Sequence, residues 1–154
     1  MKYLEGVTQL LVGLWAGAMA GFALTAPQVF AAFGPDRQAA GDLAGQMIWR
    51  LNTVGLVLGA IALLLLLLRL GERINRWRTA LLVAALGLAA VGALYIFPQM
   101  AKAQPPKPIQ TYAETDPIRV TYNMWHERSR QVFGGAILLA AAVVVLGGRG
   151  KETR

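Results

Sequence analysis

Apolar residues fall into four long runs separated by polar connectors. The first covers residues 7–26, with Thr8, Gln9 and Thr25 as its only polar members. The second leads in from Gln46 and continues through 53–68, ending in six consecutive leucines; the third is 79–97 and the fourth 132–148. A helix rises about 1.5 Å per residue, so about 20 apolar residues cross the hydrocarbon core. Backbone groups in lipid need partners inside the segment or in a closed barrel, and the alternating ten-residue pattern of barrel strands is absent. The pattern predicts an all-α fold, an integral membrane four-helix bundle, as a single transmembrane domain over 1–154. Its expected spans are 7–26, 46–70, 79–97 and 124–148, with outer loops 27–45 and 98–123. Ala18-Met19-Ala20 matches a small-x-small cleavage site, but the apolar run continues past it, so the first run reads as a retained span.

The connectors differ in kind. Pro35 and Asp36 are suited to start a helix, and Ala39, Ala40, Leu43, Ala44 and Met47 follow at helical spacing into the second span. The later connector, AKAQPPKPIQTYAETDP, carries prolines that favour extended chain and reads as an ordered or semi-ordered surface loop.

Composition supports the membrane reading: 56% of residues are hydrophobic and 15% charged. The net charge of +7 sits in short connectors, where anionic headgroups explain it; no nucleic-acid motif accompanies it. Without cysteine, disulfides and thiolate chemistry are excluded. Four spans place both termini and the 68–79 connector on one side, with Lys2, Arg69, Arg73, Arg76, Arg78, Arg149, Lys151 and Arg154. The other side holds Arg37, Arg50, Lys102, Lys107, Arg119, Arg128 and Arg130. The arginine-dense RLGERINRWR loop directs that connector and both termini to the cytoplasm by the positive-inside bias.

The halves echo each other. A shift of 76 aligns Trp49-Arg50 with Trp125-His126, Thr53 with Ser129, Gly59-Ala60-Ile61 with Gly135-Ala136-Ile137 and Leu70-Gly71 with Leu146-Gly147. A shift of 71 aligns Pro27-Gln28 with Pro98-Gln99, each pair expected to end a helix. Two spans separate equivalent positions, so the helical hairpins are expected to form a parallel repeat about the membrane normal. Small residues at spacing four (Gly13, Gly17, Gly21; Gly55, Gly59; Ala85, Ala89, Ala93) predict close helix packing within the bundle. Their alternative use is contact with a second copy or another membrane protein.

Candidate chemistry gathers at NMWHERSRQVFGG, which holds the only histidine. His126, Ser129 and Arg130 share a helical surface, as do Asp42, Gln46 and Arg50 before the second span. Polar groups in membrane proteins usually face the bundle and mark ligand or ion paths, so these six residues form the expected binding site at the outer ends of spans two and four. Interfacial anchoring is the alternative for the arginines. His126, Met124 and Met47 are the candidate metal ligands, because imidazole and thioether suit copper and imidazole suits haem iron. One histidine excludes a bis-histidine haem within the chain, and the cofactor stays open. No triad, P-loop, zinc-protease or paired-carboxylate pattern is present.

A Gly-rich first span ending in APQVF, then AAGDLAGQMIWRL, then WHERS entering the last span resemble the transmembrane protein 205-like family. Its bacterial members are classed as a domain of unknown function, number 4149. The resemblance rests on Pro27, Phe30, Ala40-Gly41, His126 and Ser129; Glu127 replaces the small residue common after the histidine, and Gly134-Gly135 stand where an asparagine is expected. It implies a four-helix protein of the cell membrane, here the bacterial inner membrane, without an established reaction. The animal member's association with tolerance to platinum drugs implies handling of soft-metal compounds. The expected function is therefore binding or transport-associated, without catalysis. Membrane redox or metal handling with haem or copper, and a structural subunit of a complex, are the alternatives.

Overall fold

The computed structural model describes residues 2–34, 37–68 and 73–149. The expected helix start at Pro35-Asp36, the Leu70-Gly71 pair of the repeat, and Arg69, Lys151 and Arg154 lie outside the described residues. Every long element is helical: α1 (Lys2–Ala32), α2 (Arg37–Leu67), α3 (Arg73–Val91), α4 (Phe97–Lys102) and α5 (Pro117–Arg149). A π-helical segment, Gly92–Ile96, joins α3 to α4, and a 3-10 turn, Ile109–Thr111, lies in the loop before α5. Four stretches are long and apolar enough to cross a membrane: Tyr3–Ala32, Gln38–Leu67, Asn75–Lys102 and Pro117–Gly147. The chain is an all-α membrane protein.

The helices overrun the expected spans at their outer ends. Neither Pro-Gln pair ends a helix: Pro27 lies inside α1, and Pro98 sits in the first turn of α4. α1 stops at Gly34, whose φ of +55° is the left-handed conformation that ends helices and suits glycine. Pro98 has no N–H for the Leu94 carbonyl, and its ring crowds that turn. The helix widens just before it, and the Phe97 N–H reaches back to the Gly92 carbonyl. α5 begins at Pro117, well before the apolar run. The Asp116 carboxylate accepts from the Ile118 N–H at 2.8 Å, and proline is preorganised for a first helical position. Hydropathy located the membrane crossings, whereas the caps lie a turn or more beyond them in polar sequence.

The helices form a ring. α1 packs on α2 and α5, and α3 packs on the same two, leaving α1 opposite α3 and α2 opposite α5. Buried positions follow steps of three and four: Thr8, Val12, Trp15, Met19, Phe22 on α1; Asn52, Gly55, Gly59, Ala62, Leu66 on α2; Asn75, Arg78, Leu82, Ala85, Ala89 on α3; Phe133, Ala136, Ala140, Val143, Gly147 on α5. This 3.5-residue period is that of left-handed supercoiled packing. Large side chains of α1 enter gaps left by small residues of α2. A Cβ on Gly55 would collide with the Trp15 indole, and one on Gly59 would meet Leu86 at 2.5 Å. The alanine face of α3 packs as expected.

The first-span glycines do not. Nothing lies within 4 Å of a Cβ built on Gly13, Gly17 or Gly21, because the α1 register turns Trp15, Met19 and Phe22 inward and those glycines out. Between 28% and 33% of each span's most apolar window is buried, so most of every helix surface is available to lipid. Lipid tails are as apolar as leucine, so dispersion and the few interhelical polar contacts hold such a bundle.

Candidate functional site

The end of the bundle that carries the loop between α4 and α5 joins three elements. Gln104, just after α4, donates to the Asp42 carboxylate near the start of α2 at 2.7 Å. The Tyr122 hydroxyl lies against Gly41, 3.7 Å from where a Cβ would stand, so α5 meets α2 here in ordinary contact. His126, one turn along α5, stacks on the Tyr122 ring with centroids 6.2 Å apart and planes 25° apart. The preceding loop is pinned by Arg119, which donates to the Tyr112 carbonyl at 2.9 Å and pairs with Glu114 at 3.4 Å.

The six expected site residues occupy this end unequally. Asp42 is drawn to the loop, and His126 is exposed and packed on its own helix. Gln46 and Arg50 are exposed on α2, which stands diagonally from α5. Ser129 is half-buried, while Arg130 is exposed and pairs with Glu127 at 3.2 Å. Arg128 lies over the Trp125 ring, 5.0 Å from its centroid, and Trp125 in turn meets Tyr95 edge-on. Met47 and Met124 are exposed, and no group of three or more histidine, cysteine, aspartate or glutamate side chains forms among the described residues. Sequence reasoning passed over Tyr122 and Gln104. Tyr122 precedes His126 by four residues, which is the signal that would have found it.

A concavity of about 500 Å³ beside this end is lined by Pro27, Phe30, Ala31 and Gly34. None of these four residues carries a charged or hydrogen-bonding side chain.

The opposite end holds a buried ion pair. The Arg78 guanidinium, 1% exposed, donates to Glu5 Oε1 at 2.7 Å, to the Val143 carbonyl at 3.2 Å and to Asn75 Oδ1 at 3.4 Å. It therefore binds α1, α3 and α5 together. Gly147 keeps the approach open, since a Cβ there would stand 2.7 Å from Arg78 Nη2. Arginine stays charged in proteins, so this contact works as a clamp and not as a proton carrier. The sequence reading counted Arg78 among connector charges. Its place four residues before Leu82 and seven before Ala85, on the inward face, was the missed signal.

A family model described as Domain of unknown function (DUF4149) matches residues 10–107, well over half of the 154-residue chain. The match carries the bacterial side of the resemblance drawn from the sequence and does not extend to transmembrane protein 205. It contains Trp15, Asn52 and Arg78 and ends before Tyr122 and His126. No curated protein and no solved structure matches.

Proposed function

Because this chain belongs to the DUF4149 family, whose description carries no activity, we propose its function from its own geometry: a bilayer-embedded, non-enzymatic binding protein with an outer polar site. The site takes His126, Asp42, Gln46, Arg50, Ser129 and Arg130, with Tyr122 and Gln104 added. One observation carries the reading: Tyr122 stacks on His126 and sets its hydroxyl against Gly41, next in sequence to an Asp42 carboxylate held by Gln104. The pair offers a hydroxyl, an imidazole and flat ring faces where the span leaves the hydrocarbon. A molecule arriving through the outer leaflet needs a polar head and an apolar body to reach it, so the ligand class is amphipathic. The outward glycine face of α1 is the surface available to a second copy or another membrane protein.

The test compares wild type, His126→Ala, Tyr122→Phe and Arg128→Ala, each purified in mild detergent. Co-purifying small molecules are extracted and identified by mass spectrometry, with helicity checked by circular dichroism. A species present in wild type and Arg128→Ala but depleted at least about tenfold in His126→Ala, a loss of about 1.4 kcal/mol in affinity, is the expected result. Identical extracts from all four folded proteins retire the site.

A further inference from the structure

Midway through the bundle, two buried hydrogen-bonding groups lack partners. Asn52 is 3% exposed and its Oδ1 has no hydrogen-bond partner; Trp15 is 2% exposed and its Nε1 has none either. One is an acceptor and the other a donor. The Trp15 indole nitrogen lies against Gly55, and Asn52 stands one turn away on the same buried face of α2, where positions three apart are neighbours. The far end of the Asn52 amide lies beside a third helix. Its Nδ2 sits 2.8 Å from where a Cβ on Gly92 would stand, at the first residue of the π-helical segment. Nδ2 is the amide atom nearest that segment, and Oδ1 is buried.

Buried polar groups in proteins are normally satisfied, and polar groups within membrane spans are enriched at functional positions. π-helical turns inside α-helices also concentrate at such positions. Trp15, Asn52 and Gly92 come from three separate spans, and the glycines at 55 and 92 admit the Trp15 indole and the Asn52 amide. We propose that Trp15 and Asn52 form a midplane binding site for a single hydroxyl group, whose oxygen accepts from Trp15 Nε1–H and whose hydrogen is donated to Asn52 Oδ1. A group that both accepts and donates at one atom satisfies this pair. Water and a small bilayer-soluble alcohol share that chemistry. Occupancy ties α1 to α2 at the level where the third span departs from α-helical winding.

The test uses the full chain in nanodiscs with ¹⁵N-labelled indoles, the Trp15 resonance being assigned with Trp15→Phe. Wild type is expected to show a cross-peak from the Trp15 indole N–H to a bound hydroxyl. Asn52→Leu should abolish that cross-peak and move the indole proton upfield. Gly92→Ala, which displaces the Asn52 amide without removing it, should weaken the cross-peak in the same direction. Titration with hexanol separates the sources: a cross-peak that stays with water identifies water, and transfer to the alcohol proton identifies the alcohol. Absence of any hydroxyl cross-peak in wild type overturns the proposal, as does an indole shift that Asn52→Leu leaves unchanged. Helicity of the variants, read by circular dichroism, guards against mistaking unfolding for loss of the site.

Discussion

Two ion pairs of this chain join the same residue types and differ in environment. Arg78 and Glu5 have side chains 1% and 12% exposed, whereas Arg130 and Glu127 are 71% and 54% exposed. Removing one partner of a buried pair strands an uncompensated charge and costs about 3–5 kcal/mol, while an exposed pair contributes about 0–1 kcal/mol. Glu5→Gln should therefore destabilise the folded bundle by about 3 kcal/mol or more. Glu127→Gln should stay within about 1 kcal/mol. Reversible unfolding in mixed micelles measures both. Equal effects would mean that the Arg78 clamp does not hold α1, α3 and α5 together.

Between helices, the same residue type has opposite consequences on different faces. Gly55 receives the Trp15 indole and Gly17 receives nothing. Overfilling a packed contact costs about 1–3 kcal/mol. Gly55→Ala should lose stability in that range, whereas Gly17→Ala should be neutral or gain up to about 1 kcal/mol from better helix propensity. The same unfolding assay decides, with light scattering run alongside. A change in particle mass on Gly17→Ala would assign the outward α1 face to self-association.

The ring order bears on the molecule as a whole. Spans one and three are diagonal, as are two and four; superposing the first two spans on the last two by a rotation about the membrane normal is the test of a parallel repeat. Such a repeat also keeps both termini on the side of the arginine-dense connector. One of its arginines, Arg78, is committed to the buried clamp, so the orientation argument rests on the others. The chain has no cysteine, which leaves a clean background for labelling. A cysteine at Trp77, 61% exposed, should react with an impermeant maleimide only after the cytoplasmic side is opened. One at Glu114, whose side chain is 88% exposed, should react in intact cells. The reverse pattern inverts the topology.

Hydropathy alone determined that this protein has four membrane helices, because the energetic demand of hydrocarbon acts on each segment separately. The polar character of the Asn123–Gly135 lip and the tight packing of Gly55, Gly59 and Ala85 were likewise legible, since helical spacing is local. Three things were decided only by tertiary structure. The outward turn of Gly13, Gly17 and Gly21 depends on which side of an all-apolar helix meets a neighbour, and an apolar circumference carries almost no signal of that. The diagonal placement of α2 and α5 puts Arg50 and His126 on helices that face each other across the ring, and it follows from ring order. The burial of Arg78, Asn52 and Trp15 depends on a 3.5-residue register shared by four helices. That register is a property of contacts between helices, and no single segment contains it.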